Sequence, residues 1–176
     1  MAQIEKETYP QYLGKVLKAT GVLILLSIAL PSANHLGTGE WNLLWFIGIF
    51  WGGTVYGDQF IGYINDASYI PTGVISTVLL IVALILIAIS ATNVKKERKG
   101  KLAVGIRLVG GILAIISPII YYFYLNAELP LFWDQYFPSI GVYLSIIGGI
   151  LGIISAILVV FTTKKKSPSD EMYNNK

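Results

Sequence analysis

The sequence predicts an all-α integral membrane protein, a four-transmembrane-helix bundle made of two hairpins. Three observations predict it: a very apolar composition, four long apolar runs, and basic residues confined to a few short regions. Of the 176 residues, 55% are hydrophobic and 13% are charged, whereas a soluble domain carries about 25% charged residues. The mean hydropathy of +0.66 therefore indicates that much of the surface faces lipid.

The distribution of basic residues predicts the orientation. All 13 Lys and Arg residues lie in the N-terminal arm, in residues 94–107 or in the C-terminal tail, whereas the connecting stretches 32–70 and 126–138 contain acidic residues and no basic ones. Because Lys and Arg are enriched on the cytoplasmic side, we expect a multi-pass protein of the cell membrane with both termini cytoplasmic. The predicted cytoplasmic anchors are Lys95, Lys96, Arg98, Lys99, Lys101, Lys164, Lys165 and Lys166.

The first predicted span covers about residues 13–33. Its uncharged part, 19–33, is short for a helix that needs about 20 apolar residues, but Lys15 and Lys18 can extend their charged ends to the interface. The alternative is a cleaved secretory signal peptide, because residues 27–29 (Ser-Ile-Ala) offer small side chains at the spacing of a cleavage site. The acidic residues before the apolar run are atypical of such a leader.

Residues 34–70 alternate aromatic side chains with glycines. A transmembrane helix over 41–57 would place the two flanking basic regions on opposite faces, against the positive-inside distribution. We therefore predict an interfacial or re-entrant helix over about 40–51, broken at Gly52 and Gly53, with a small aromatic β-hairpin as the alternative. Since aromatic residues favour the headgroup level, the predicted outer aromatic interface comprises Trp41, Trp45, Trp51 and Trp133.

The remaining spans complete a single membrane domain over residues 1–166, followed by a tail, 167–176, that is predicted to be disordered and cytoplasmic. Apart from Lys15 and Lys18 at the start of the first span, Arg107 is the one charged residue inside a span, and it lies close enough to the cytoplasmic end to reach the headgroups. Pro118 predicts a kink in the same helix. The three spans cover about residues 72–92, 102–125 and 139–161.

The last span contains a stripe of small residues at roughly four-residue spacing, including a Gly-x-x-x-Gly motif. In lipid, close backbone approach through small residues is a main source of helix association. The stripe therefore predicts either an intramolecular seam with Gly110 and Ala114 of the third span, which we favour, or a dimer seam. Its residues are Gly141, Ser145, Gly148, Gly149, Gly152 and Ala156.

Few residues could carry chemistry. The chain has no cysteine and one histidine, His35, which we place in a solvated outer loop. The predicted spans contain no Asp, Glu or His for a proton relay or an ion site, and no glycine-rich phosphate loop precedes a helix. We therefore expect no enzyme activity, no cofactor, no metal site and no nucleic-acid partner.

The predicted function is a non-catalytic structural or interaction role, for example as an accessory subunit of a larger membrane complex. The expected partners are membrane lipids and other membrane-protein subunits or a second copy of the chain. The alternative is a small transporter or channel for an uncharged or lipid-like solute, working through the glycine-rich 48–57 segment and the kink at Pro118. The layout resembles that of claudin-type tetraspan proteins, although their Trp…Gly-Leu-Trp…Cys…Cys signature is not matched.

Overall fold

The structure is a computed structural model. It describes residues 2–37, 40–47, 49–56, 59–65, 70–95 and 101–163, with side chains described over most of the helices and at the base of the sheet. The part of the chain that it describes is mostly helical. The helices are α1 (Ala2–Ala29), α2 (Ile70–Lys95), α3 (Lys101–Glu128), the short α4 (Phe132–Gln135) and α5 (Ile140–Thr163).

Four of these helices are long and apolar enough to cross a membrane, as predicted. Large apolar side chains on these helices are exposed, for example Ile85 on α2 and Ile157 on α5. The four apolar stretches are Tyr12–Ala29, Gly73–Thr92, Leu102–Glu128 and Ile140–Phe161.

The four long helices pack in a ring in which α1 contacts α2, α2 contacts α3, α3 contacts α5 and α5 contacts α1. Neighbouring helices run antiparallel, because contacts near the start of one helix involve the end of the next. Arg107, near the start of α3, contacts α2 at Ser90 and α5 at Ser155. The start of α1 and the end of α5 therefore lie at one end of the ring, called here the termini end.

A sheet of five antiparallel strands occupies the other end, called here the sheet end. The strand order is β4-β3-β2-β1-β5, so that four consecutive strands form a meander and β5, from the second connecting segment, joins beside β1. The strands are β1 (Ala33–Gly37), β2 (Glu40–Leu44), β3 (Phe50–Tyr56), β4 (Gln59–Asn65) and β5 (Phe137–Pro138).

The predicted interfacial helix over 40–51 is therefore wrong. This stretch forms β2, a turn and the start of β3, and Trp41 pairs with Gly53 while Asn42 pairs with Gly52. The β-hairpin named as the alternative is closer to the structure, which extends it to a sheet. The physical reason is that aromatic and β-branched residues favour pleated strands, and the glycines are accommodated in the sheet, with Gly53 opposite Trp41 and Gly52 opposite Tyr63.

α1 ends at Ala29, before residue 33 where the sequence placed the end of the span. Pro31 has no N–H to continue the helical ladder. The N–H of Ser32 donates instead to the carbonyl of Leu44 on β2, at 2.7 Å. The proline thus marks the change from helix to sheet.

One apolar core runs from the helices into the base of the sheet. Its buried residues come from α1, α2 and α3, from β1, β2 and the turn after β2, and from α4, and Val142 of α5 packs against them. Ala33, Leu44 and Phe46 are fully buried there. The base of the sheet is therefore packed onto the helix ends.

Candidate interaction surface

The base of the sheet is fixed to α3 by a buried hydroxyl pair. The Ser32 hydroxyl donates to the Leu44 carbonyl at 2.8 Å, and the Tyr121 hydroxyl lies 2.9 Å from the same serine oxygen. Since a serine has one proton to donate, Tyr121 donates and Ser32 accepts in the second bond. The Tyr121 ring also meets Phe46 edge to face, with centroids 4.9 Å apart. This contact couples the first connecting segment to the second hairpin.

The second connecting segment begins with a tight turn at Leu129, Pro130 and Leu131. The N–H of Phe132 donates to the Leu129 carbonyl at 3.0 Å, and Leu131 has φ 72 and ψ 10. These features describe a type II turn, in which the third position favours glycine because it requires positive φ. Leu131 occupies that position in place of a glycine, and it is 70% exposed.

An aromatic cluster follows this turn and covers part of the sheet end. Phe132 is stacked on Tyr136 with centroids 4.3 Å apart, and Trp133 is stacked on Tyr122 of α3 at 4.6 Å. The indole N–H of Trp133 donates to the Tyr122 carbonyl at 3.0 Å. The cluster therefore presents a rigid surface, since each ring is held by another ring or by a hydrogen bond.

His35 connects the cluster to the sheet. Its Nδ1 lies 2.7 Å from the Gln135 carbonyl, and because a carbonyl can only accept, Nδ1 carries the proton. The ring is 5.5 Å from Tyr136 and only partly exposed. The predicted outer loop is therefore wrong at this position, because His35 lies on β1 and its ring is bonded to the second connecting segment.

An apolar groove of about 360 Å³ lies where α1 meets the turn between β2 and β3. The indole N–H of Trp45 donates to the carbonyl of Ala29 across it, at 3.0 Å, and satisfies one of the carbonyls that the end of a helix leaves free. Ile47 and Ile49 are 38% and 42% exposed on the turn. The groove is lined by Ile28, Ala29, Trp45, Ile47, Ile49 and Trp51.

The predicted outer tryptophans are thus distributed over two places. Trp45 and Trp51 line the groove, whereas Trp133 belongs to the aromatic cluster on α3 and α4. Trp41 lies on β2, and its side chain is outside the described residues. The three tryptophans whose side chains are described therefore do not form one continuous aromatic patch.

Small residues of α5 bring it against α3. A Cβ added at Gly149 would lie 2.6 Å from the Gly111 carbonyl oxygen, and one added at Gly111 would lie 2.7 Å from the Gly149 oxygen. Gly152 is also close, with the Gly111 Cα 3.1 Å from its ideal Cβ position. The two backbones approach so closely that neither glycine position has room for a methyl group.

Other members of the same stripe face α1. A Cβ added at Gly141 would lie 2.7 Å from the Pro31 carbonyl oxygen, and a Cβ added at Gly148 would lie 3.0 Å from the Ile24 side chain. Ala156, nearer the termini end of α5, is fully buried. α5 thus uses small residues on two sides, one toward α1 and one toward α3.

The residues predicted on α3 to face α5 were Gly110 and Ala114, and only Ala114 does so. Ala114 faces α5, because its carbonyl accepts a hydrogen bond from the Ser145 hydroxyl. Gly110 instead faces α2, where a Cβ would be 3.2 Å from the Ile87 side chain. Gly111, the neighbour that sequence reasoning missed, is the glycine that meets α5. Adjacent glycines gave no signal to separate the two faces.

The bond from Ser145 to Ala114 satisfies a carbonyl that Pro118 leaves free. In a regular helix the N–H four residues later would donate to Ala114, but that position is proline. A serine from the neighbouring helix supplies the missing donor, as occurs for prolines within membrane helices. On the other side of α3, the Ser117 hydroxyl donates to the Ser76 carbonyl at 2.8 Å, and the Ser76 hydroxyl donates back to the Ser117 carbonyl at 3.2 Å.

Arg107 is buried between three helices, with 1% of its surface exposed. Its Nε donates to the Ser90 hydroxyl at 2.6 Å, and Nη1 lies 3.5 Å from the Ser155 carbonyl oxygen. The prediction that this side chain reaches the headgroups is wrong. Its four-residue spacing from Gly111 places both on the inward face of α3, and this spacing was a signal that could have located it.

Among the described residues, no group of three or more His, Cys, Asp or Glu side chains is close enough to hold a metal ion. Of the predicted cytoplasmic anchors, Lys95 ends α2 and Lys101 begins α3. The side chains of these two residues, and all of Lys96, Arg98, Lys99 and Lys164–Lys166, lie outside the described residues.

No protein-family model matches this chain, and no curated protein is significantly similar to it. Its functional assignment therefore depends on the arrangement above. That arrangement combines a helix core closed by small residues and hydroxyls with a sheet end rich in aromatic and exposed apolar side chains.

Proposed function

We propose that the protein is a non-catalytic, multi-pass protein of the cell membrane that acts by binding a partner through its sheet end. In this proposal the four packed helices form the transmembrane bundle, both termini are cytoplasmic, and the sheet with α4 forms an outer cap. The confinement of Lys and Arg to the termini and to residues 94–107 supports this orientation, because such residues are retained on the cytoplasmic side.

The observation that carries the proposal is the conformation and exposure of Leu131. A left-handed conformation costs about 1–2 kcal/mol for a residue other than glycine, and 70% exposure means that burial within this chain offsets little of the cost. Strained residues are concentrated at functional sites. A leucine held out on a rigid aromatic base suits an apolar contact with another protein, such as a subunit of a membrane complex.

The small residues of α5 support the intramolecular form of the packing seam. Gly141 and Gly148 lie against α1 and Gly149 and Gly152 against α3 of the same chain. With these positions occupied internally, the proposed partner site is on the outer cap and not along α5.

The alternative, a small transporter or channel, depended on two features that have structural roles in this fold. Gly52 and Gly53 lie within β3 and are paired with β2 and β4. The carbonyl freed by Pro118 is satisfied by Ser145. The structural roles of the glycines and of Pro118 therefore account for both features without a path for a solute.

Photo-crosslinking in native membranes tests the proposal. A photoreactive amino acid at position 131 should give one reproducible protein adduct, and the same group at Ile85, which is 51% exposed on α2, should react with lipid. The partner should co-purify in gentle detergent with the parent protein and not with Leu131→Asp. Absence of any adduct at position 131, together with solute flux by the purified protein in liposomes, would favour the alternative.

A further inference from the structure

The groove beside α1 lies at the expected boundary between hydrocarbon and headgroups. The apolar stretch Tyr12–Ala29 has 18 residues, or about 27 Å at 1.5 Å per residue, which is close to the ~30 Å thickness of the hydrocarbon layer. Ile28 and Ala29, at the sheet end of this stretch, form one wall of the groove. A bilayer that covers α1 therefore ends at the level of the groove.

The opposite wall is a turn that carries apolar residues toward this level. The N–H of Trp45 donates to the Ile49 carbonyl at 2.9 Å and closes the turn. Phe46 is fully buried against Tyr121 and holds the turn on the helix ends. Ile47 and Ile49 then remain exposed on its outer side.

The chemistry of the groove selects an uncharged, extended ligand. No residue from 41 to 57 is charged, and all six lining side chains are apolar or tryptophan. The indole N–H of Trp45 is already bonded to Ala29. Exposed Val22, Leu25 and Leu26 on α1 continue the apolar surface from the groove into the membrane-spanning part of the helix.

We propose that the β2–β3 turn enters the leaflet at the sheet end and that the groove binds an acyl chain of a membrane phospholipid. A contiguous apolar surface with flanking tryptophans is typical of a membrane-contacting site. The headgroup end of the acyl chain lies between Ala29 and the two isoleucines of the turn, and the chain continues along the exposed face of α1 toward the bilayer centre. This inference rests on the membrane placement of the helices in the proposed function, but it does not depend on the proposed protein partner. The lipid site and the protein partner can therefore fail independently.

Tryptophan fluorescence in vesicles tests the site. The first protein keeps Trp45 alone, with Trp41→Phe, Trp51→Phe and Trp133→Phe, and the control keeps Trp133 alone. Both are reconstituted into phosphatidylcholine vesicles with or without bromine near the headgroup end of the acyl chains. Since bromine quenches an indole at contact distance, we expect Trp45 emission to fall by at least about twofold, as an interfacial position predicts.

Two variants separate the groove from the surrounding bilayer. Ala29→Phe fills the groove without adding charge, and Ile47→Asp places a carboxylate on its rim. Each should restore much of the Trp45 emission in brominated vesicles and leave the Trp133 protein unchanged. Circular dichroism checks that each variant is folded. If one variant does not fold, the other still tests the groove.

Failure of the folded Trp45 protein to be quenched would overturn the proposal, because the turn would then lie outside the lipid. Quenching that is unchanged by both variants would overturn it as well, since the indole would meet bulk lipid and not a chain in the groove. The photo-crosslinking result at Leu131 does not affect either outcome.

Discussion

The helix ring and the sheet end satisfy buried polar groups in different ways. Within the ring, hydroxyls donate to carbonyls of the neighbouring helix, as Ser145 does to Ala114 and Ser117 to Ser76. At the sheet end, strands pair their own backbones, the indole of Trp45 donates to the free carbonyl of Ala29 at the end of α1, and the indole of Trp133 donates to the Tyr122 carbonyl of α3. Packing in the ring depends on close approach of helices through small residues, whereas packing at the sheet end depends on large aromatic side chains.

This difference indicates which changes each region tolerates. Added volume should be most harmful in the ring, because backbones are in contact there and cannot separate locally. The sheet end should tolerate changes at exposed positions, and some should stabilise it. The following predictions test this contrast, starting with the largest expected effect.

Gly149→Ala should destabilise the protein most. The new methyl group would lie 2.6 Å from the Gly111 carbonyl oxygen, and overpacking of this kind costs about 1–3 kcal/mol. Thermal unfolding in mild detergent should show a clear fall in Tm. Gly105→Ala is the matched control on α3, since nothing lies within 4 Å of its Cβ; it should raise stability by up to about 1 kcal/mol. Equal effects of both substitutions would contradict the close contact of α3 with α5.

Ser90→Ala should destabilise the ring by about 2 kcal/mol, because it removes an acceptor from a buried charged donor. The Ser90 oxygen is 2.6 Å from Nε of Arg107. Ser155→Ala is the control, since Arg107 is bonded there to the backbone carbonyl and the side chain donates within its own helix. Chemical unfolding of the two variants should therefore give a larger loss for Ser90. A smaller loss for Ser90 than for Ser155 would argue that the guanidinium lies elsewhere.

Ser145→Ala should cost about 1 kcal/mol, within the range measured for side-chain hydrogen bonds between membrane helices. The cost should shrink when Pro118→Ala is also present, because the restored N–H can then donate to the Ala114 carbonyl. A double-mutant cycle of unfolding free energies measures this coupling. Additive effects of the two substitutions would show that the serine does not compensate for the proline.

Leu131→Gly should have the smallest effect and the opposite sign. Glycine adopts positive φ without the steric cost that leucine has, and the leucine side chain is 70% exposed. We expect a gain of about 0.5 kcal/mol after the entropy cost of glycine is included. Leu131→Ala keeps the strain and should not give this gain. A destabilised glycine variant would mean that the leucine side chain stabilises the chain by contacts within it.

The helices could be predicted from the sequence because each depends on a continuous local pattern. The run before Lys95 is uncharged and mostly apolar, and a helix satisfies its backbone groups locally. The inward face of α3 could also be predicted in part. Its inward-facing residues recur at intervals of three or four positions and include Arg107, Gly111, Ala114 and Pro118. The same spacing indicates burial of the arginine, whereas the expectation that it reaches the headgroups depended only on its nearness to the helix end.

The sheet could not be derived in the same way. Its pairings join distant residues, such as Ala33 with Pro138, and no local period specifies them. The stretch around Gly52 and Gly53 is apolar and aromatic without strict alternation, so that helix and strand were both compatible with it. His35 likewise depends on Gln135, a hundred positions away, and the sequence contains no sign of that contact.

The proposed orientation can be measured with a single thiol, because the natural chain contains no cysteine. Leu131→Cys places the thiol on the sheet end, and Lys165→Cys places it in the basic tail beyond α5. A membrane-impermeant maleimide added to intact cells should label position 131, and it should label position 165 only after the membrane is opened. Labelling of position 165 in intact cells, or protection of position 131 until the membrane is opened, would contradict the four-span arrangement with an outer cap.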